Sequence, residues 1–310
     1  MNFSARNITT EVLVSVQIPT YNQKAMVKQA VDSVYFQNYT AVQIIVADDC
    51  SKDYDIFKHL KSFSEQPRIE IHQNAKNLGR VANYRHTLYS HVQGEWFMNL
   101  DGDDQFEKVQ FLAEAMDYIN NSSYNIVAFE FNHRLSYIRR YIKWYKDIDK
   151  ETIIVKGSDY LLLQKYYQNF MHANTIFRTS AAKSVDFYNM DILSADYFSA
   201  LKIWTQGYLI LSSKKIFKWN DHGGNASHTL SLFEIEKEKV AIADVLNYAK
   251  KNLSRKELNE LEQTLLYFLY LKVFTIYKSK EKDLSYYIYL VRNFKFSKFY
   301  IKKILTELRS

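Results

Sequence analysis

The residues best equipped for chemistry lie in Asn99-Leu100-Asp101-Gly102-Asp103-Asp104, where three carboxylates fall within four positions. The apolar run Trp96-Phe97-Met98 precedes them and a helix-like segment follows. That order reads as a strand ending in a tight turn, with acidic side chains at its C-terminal edge, where open α/β sheets bind ligands. Carboxylates so crowded repel one another unless a cation sits among them. Hard divalent ions such as Mg²⁺ and Mn²⁺ take oxygen ligands and bridge to substrate phosphates. A solvated acidic loop would carry the same residues, so this stretch alone leaves both readings open.

Three further stretches would share that edge: Ile18-Pro19-Thr20-Tyr21-Asn22, Asp48-Asp49-Cys50-Ser51-Lys52-Asp53 and Asn77-Leu78-Gly79-Arg80. Singly each is ordinary, since a strand-end Asp is more often a turn former than a ligand. The elements that must position them follow from periodicity. Strands are expected at 12–18 (stopped by Pro19), 42–47, 69–72 and 96–100, with helices at 24–37, 54–64 and 79–91 between them. This alternation argues for a mostly parallel sheet with helices on both faces. Further on, helices are expected at 107–120, from an N-cap at Ser158 to 167, and at Asp196–Gln206 up to Gly207; strands are expected at 125–132, 175–178, 209–211 and 216–219. Residues 133–155 resist assignment, and the pattern is helical from about 231 onward.

Composition narrows the class. The chain has 310 residues, 47% apolar and 24% charged, which suits a soluble globular protein. Tyr (25) and Phe (20) abound while Gly (7) and Pro (2) are scarce, which favours a helix-rich α/β protein over an all-β one. A single cysteine, Cys50, excludes an intrachain disulfide framework and fits a reducing cytoplasm; it is expected to be a small buried filler. No secretory signal or membrane-spanning run is visible, so a cytoplasmic location is expected. Residues 286–310 interleave Arg292, Lys295, Lys298, Lys302, Lys303 and Arg309 with seven aromatics. That mixture suits an anionic membrane surface on the inner face of the cell membrane. Packing on the core is the next reading, and nucleic acid is not an expected partner.

Taken in order, the four edge motifs resemble those of the family 2 glycosyltransferases of the GT-A fold, over roughly residues 12–227. That family has a strand–Pro-Thr-Tyr-Asn opening, Asp-Asp-x-Ser-x-Asp, Asn-x-Gly and Asp-x-Asp, which match Pro19–Asn22, Asp48–Asp53, Asn77–Gly79 and Asp101–Asp103. Its later Glu-Asp pair has lost the Glu in Ser194-Ala195-Asp196-Tyr197, and its His-x-x-Asn-x-Ser matches His222–Ser227. The resemblance implies a GT-A catalytic domain over 1–228, with a nucleotide-sugar half at 12–104 and an acceptor half at 105–228, followed by a helical region at 229–310. It implies an inverting hexosyl- or N-acetylhexosaminyltransferase that moves a sugar from a nucleotide diphosphate, by default UDP, to a glycan or lipid-linked saccharide in bacterial surface polysaccharide synthesis.

Roles follow from the resemblance. Pro19, Thr20, Tyr21, Asn22 and Asp49 would hold the nucleotide, with Asp49 accepting from a base N–H. Arg80 would offer donors to phosphate or ribose, and Gly102 belongs to the same site. Mn²⁺ or Mg²⁺ would sit on Asp103, with Asp101 and His222 beside it. Asp104 is expected as support or as the N-cap of the next helix. Asp196 would be the general base, with Asp191 its nearest rival, and His172 is given no role. A sugar-nucleotide pyrophosphorylase is an alternative, although Thr20-Tyr21-Asn22-Gln23 stands where such enzymes carry a Gly-rich, Arg-containing loop. A non-catalytic binding protein of the same fold is another.

Overall fold

The computed structural model describes residues 11–220 and 232–279. In chain order these form β1 (Val14–Thr20), α1 (Val27–Tyr35), β2 (Val42–Asp48), α2 (Ile56–His59), β3 (Ile69–Gln73), α3 (Arg80–Ser90), β4 (Trp96–Asn99), β5 (Gln105–Phe106), α4 (Phe111–Asn120) and β6 (Ile126–Glu130). There follow α5 (Leu135–Tyr141), β7 (Tyr145–Asp147), β8 (Thr152–Lys156), α6 (Gly157–Leu163), β9 (Thr175–Arg178), α7 (Thr179–Ser184), α8 (Ala195–Trp204), β10 (Tyr208–Ser212), β11 (Phe217–Lys218), α9 (Leu232–Ala249) and α10 (Arg255–Ser279).

The described residues fall into two compact units. The first runs through Ser123 and adds His172–Ser180 and Lys215–Trp219. Its strands lie in the order β3-β2-β1-β4-β9, all parallel except β9. β1 and β2 are buried at every position, the mark of inner strands covered on both faces, although β1 alternates apolar Val14, Val16 and Ile18 with polar Ser15 and Gln17. β1 runs on through Pro19 and Thr20, beyond the expected stop. The carbonyls of Gln17 and Pro19 accept from Leu100 and Gly102, while that of Thr20 accepts from Asp49. Pro19 therefore faces the β4 side, where strand pairing has already ended at Gln17 and Asn99, so its missing N–H costs no ladder bond. β5 and β11 form a separate antiparallel pair.

One face of this sheet carries polar side chains under α3, which packs on β1 and β2. Gln17 is hydrogen-bonded to Asn99. Gln43 accepts from the Ser15 hydroxyl at 2.5 Å and donates to Glu70 Oε1 at 2.7 Å. Beyond it the rings of His72 and His91 stack at 3.8 Å. Burial, then the neighbouring His72 and His86, hold the His91 imidazole below its usual value.

The second unit holds Tyr124–Met171, Ala181–Lys214 and the described residues from Asn220 on. β6 and β10 are parallel, and β8 and β7 continue antiparallel from β10. The residues that resisted assignment thus form α5 and a β7–β8 hairpin. α6 starts one residue before Ser158, with Lys156 as its N-cap, which corrects the expected cap. The reason is a close approach: a Cβ on Gly157 would collide with the Trp204 carbonyl oxygen, so only glycine lets the chain turn there. α9 and α10 pack on one another, α9 on α8 and α10 on α6. Ser254 and Glu257 form a reciprocal capping box at the start of α10.

Candidate functional site

β1, β2, α3 and β4 bring the edge motifs of the first unit together. At the end of β2, Asp48 is fully buried. Its carboxylate accepts from the Ser51 N–H and hydroxyl and from Gln73 Nε2 at 2.8 Å, so it holds its own turn. Asp49, 3% exposed, reaches across to the turn before α3. Its Oδ1 accepts from Asn74 Nδ2 and the Leu78 N–H, both at 2.8 Å, and its Oδ2 from the Gly79 N–H at 2.9 Å. Gly79 sits at φ +88°, a backbone that side chains rarely adopt. Asp49 is therefore the clamp that sets the path of the chain into Arg80, with one acceptor position left on Oδ2.

Asn22, at φ 54°, joins the β1 and β2 loops: its N–H donates to Ser51 Oγ at 2.8 Å and its Oδ1 accepts from the Lys52 N–H at 2.9 Å. Thr20 is buried and Tyr21 is 45% exposed. Cys50 departs from expectation. It is half-buried with φ 66°, and Lys52 Nζ lies 3.0 Å from its sulfur, so it is a turn residue facing outward and not a core filler.

After β4 the acidic turn is docked on β1 through the Gly102 N–H, which donates to the Pro19 carbonyl at 3.1 Å. A Cβ on Gly102 would lie 2.9 Å from Thr20 Cβ and 2.6 Å from Gln23 Oε1, so this position must be glycine for the turn to close on the strand. Carboxylate oxygens of Asp101, Asp103 and Asp104 lie within 4.8 Å of one another, and Asp103 and Asp104 are buried. At that spacing each pair of charges repels by about 3 kcal/mol at an effective dielectric constant of about 20. A cation relieves all three pairs, and an all-oxygen donor set fits Mg²⁺ or Mn²⁺. Asp104 is thus a member of the cluster and not a helix N-cap, because α4 begins at Phe111 with Gln110 before it.

Three side chains surround Asp101. Tyr84 donates to Oδ1, and His172 Nε2 lies 3.3 Å from Oδ2. Burial pushes the Asp101 carboxyl up, but the charge and hydrogen bond of His172, followed by Arg80, outweigh it and hold the group below the ordinary carboxylate value. Arg80, expected from sequence, is therefore electrostatically part of this site. His172 and Tyr84 belong to no expected motif. Tyr84 lies four residues after Arg80 on α3, so helical spacing from the Asn-x-Gly turn was the signal available for it.

Asp196 lies in the second unit. All nine other residues of α8 are buried, and Asp196 alone retains exposure. Its surroundings are fixed by the C-terminal helices. The Ser194 N–H donates to Glu238 Oε1 at 3.2 Å, and Lys272 Nζ donates to Ser194 Oγ at 2.5 Å and to both Glu238 oxygens at 2.8 and 2.7 Å. Glu238 is fully buried. Asp191 is exposed on the preceding loop. His222 and residues 286–310 lie outside the described residues.

A family model described as glycosyl transferase family 2 matches residues 15–185, more than half of the chain. The processive diacylglycerol beta-glycosyltransferase of Mycoplasma pneumoniae is 27% identical over 116 residues, 37% of this chain and 34% of that protein. The matched segments span 34% to 42% of the first three curated relatives. Among solved structures, residues 1–349 of TarS from Staphylococcus aureus, in complex with UDP-GlcNAc, superpose with a TM-score of 0.64 at 18% identity, covering 85% of this chain and 73% of that one. The mannosyltransferase PcManGT from Pyrobaculum calidifontis, in complex with GDP-Man and Mn²⁺, gives 0.55 at 14% identity, covering 97% and 81%. These likenesses show the fold, the mixed α/β GT-A architecture with a largely parallel sheet.

Proposed function

This chain belongs to glycosyl transferase family 2, and we propose that it is an inverting glycosyltransferase that takes a sugar from a nucleoside diphosphate, most aptly UDP, to a glycan or lipid-linked saccharide acceptor. The observation that carries the reading is the carboxylate cluster of Asp101, Asp103 and Asp104 at the C-terminal edge of β4, with the charge of Arg80 acting on Asp101. The donor class is supported by the UDP-GlcNAc and GDP-Man complexes of the two structural neighbours. A hexosyl or N-acetylhexosaminyl group, a role in bacterial surface polysaccharide synthesis, and work in the cytoplasm at the inner face of the membrane belong to the same proposal. So does the division into a catalytic domain at 1–228 and a helical region at 229–310. No helix among the described residues is long and apolar enough to cross a membrane.

In this reading Asp103, with Asp101 and Asp104, holds a divalent ion. Such an ion would supply positive charge to offset that of the diphosphate leaving group. Pro19, Thr20 and Tyr21 line the nucleotide, Asp49 fixes the turn that presents Arg80, and Arg80 binds phosphate or ribose. His172 and Tyr84 hold Asp101 ionised and oriented. The acceptor hydroxyl attacks the anomeric carbon as the bond to the diphosphate oxygen breaks, inverting that centre. Asp196 takes the hydroxyl proton, a role that contributes about 10²–10⁴-fold.

Calorimetric titration of UDP, GDP and dTDP, with and without Mn²⁺, tests the donor site. One nucleotide is expected to bind in a metal-dependent manner and to be lost in Asp103→Asn. Failure of well-folded protein to bind any of the three would overturn the proposal.

A further inference from the structure

Away from the carboxylate turn, β3 and the end of α3 place Glu70, His72 and His91 together, with one ligand atom from each lying within 4.8 Å of the others. We propose that these three side chains form a second metal site, selective for Zn²⁺ or a similar borderline transition ion. The chemistry of the donors sets the class. Two imidazoles and one carboxylate suit Zn²⁺, Co²⁺ or Ni²⁺, whereas Mg²⁺ and Mn²⁺ prefer the all-oxygen cluster of Asp101, Asp103 and Asp104.

The geometry is close to what such an ion needs. His72 Nε2 and Glu70 Oε2 are 3.2 Å apart. A tetrahedral ion with ligands at about 2.0–2.1 Å has edges of about 3.3 Å, so this pair already spans one edge. Glu70 and His72 lie two residues apart on one face of β3. A ring nitrogen of His91, whose ring stacks on that of His72, lies within 4.8 Å of both their ligand atoms, so a side-chain adjustment of His91 would be needed to complete the ligand set. All three residues are half-buried, which leaves the fourth position open to water. His86, on the exposed face of α3, stands edge-on to His91 at 5.4 Å, so three of the chain's eight histidines crowd this spot.

The site also has an outer layer. Gln43, 5% exposed, uses both amide protons and both lone pairs: it donates to Glu70 Oε1 at 2.7 Å and to the His91 carbonyl at 3.0 Å, and it accepts from Ser15 Oγ and from the Gln93 N–H at 3.1 Å. It thereby fixes one Glu70 oxygen and turns the other toward His72, the kind of support that orients metal ligands. Bound there, the ion staples the residue after α3 to β3, at the opposite end of α3 from Arg80.

Titration of the full chain with Co²⁺ and Zn²⁺, in saturating Mg²⁺ to fill the carboxylate turn, tests the site. One equivalent of Co²⁺ is expected to develop visible absorption typical of four-coordination and to be displaced by Zn²⁺. His72→Gln and His91→Gln are each expected to weaken binding at least 10-fold, with metal-free melting unchanged because both side chains are partly exposed. Asp103→Asn is expected to bind Co²⁺ as wild type. Absence of binding in wild type, binding unaltered in the His72→Gln/His91→Gln double variant, or loss in Asp103→Asn would each overturn the proposal. None of these readouts depends on the donor nucleotide, so the result stands apart from the proposed transferase activity.

Discussion

Asp49→Asn probes whether one carboxylate sets the donor-side turn. The wild-type group, 3% exposed, accepts from two backbone N–H groups and the Asn74 amide. Asparagine keeps one carbonyl oxygen and puts an NH₂ on the other side. If that oxygen serves Leu78 and Asn74, the NH₂ confronts the Gly79 N–H; flipped, it confronts the other two donors. Either orientation loses at least one charge-assisted bond, worth about 1.5–3 kcal/mol, and leaves the introduced, buried NH₂ facing donors and without an acceptor at about 1–3 kcal/mol, even though the Gly79 N–H keeps Asn77 Oδ1 at 3.1 Å as a second acceptor. A net loss of about 3 kcal/mol is expected in urea unfolding, by the shift of midpoint at constant slope. Because the clamp is local, amide exchange over residues 74–83 should accelerate more than exchange in β1 or β2, and nucleotide affinity should fall as Arg80 loses its fixed position. Unchanged stability together with unchanged exchange at Leu78 and Gly79 would refute the reasoning.

Other substitutions separate the remaining parts. Gly102→Ala forces the turn off Thr20, since the added carbon would meet Thr20 Cβ at 2.9 Å; a cost of about 1–3 kcal/mol in urea unfolding and weaker metal-dependent nucleotide binding by calorimetry are expected. Glu238→Gln leaves Lys272 without its buried counter-charge, so urea unfolding should register a loss of about 3–5 kcal/mol, much of it recovered in Glu238→Leu/Lys272→Met. His172→Gln removes the charge that helps hold Asp101 below its ordinary value. A depressed carboxyl contributes stability above its unfolded-state value and loses it as pH falls through the folded-state value. The variant should therefore lose that contribution, and its Mn²⁺ affinity, at a higher pH than wild type when both are followed by titration from pH 7 downward.

Much of this architecture could be read from residues alone because inner parallel strands leave an unmistakable trace. Val42–Ala47, a largely β-branched and apolar run that ends in Asp48-Asp49, falls within parallel β2, and the short run Thr175–Arg178 coincides with β9, although nothing local told that β9 pairs antiparallel with β4. The acidic turn was legible because three carboxylates crowded behind a buried strand carry a repulsion that a bound cation relieves. Legibility ended where long-range packing decided the outcome. The start of α6 is set by the approach of Gly157 to Trp204, a contact 47 residues away that no local cap signal reports. The β7–β8 hairpin was hidden because β7, Tyr145-Lys146-Asp147, is a short exposed strand with no apolar run, leaving Thr152–Val155 to look like an isolated run. His172 reads as a lone histidine until the fold brings it 71 residues back to Asp101. Cys50 looked like core filler because composition carries no φ, and its left-handed turn faces it outward.

The most direct test of the central claim is release of UDP from a panel of UDP-sugars with Mn²⁺ and lipid-linked saccharide acceptors, comparing wild type with Asp196→Asn and Asp103→Asn. Wild type is expected to turn over one donor. Asp196→Asn should retain UDP binding but lose about 10²–10⁴-fold in turnover, and Asp103→Asn should lose both. Turnover at the wild-type rate in Asp196→Asn, or metal-independent UDP binding retained in Asp103→Asn, would contradict the account.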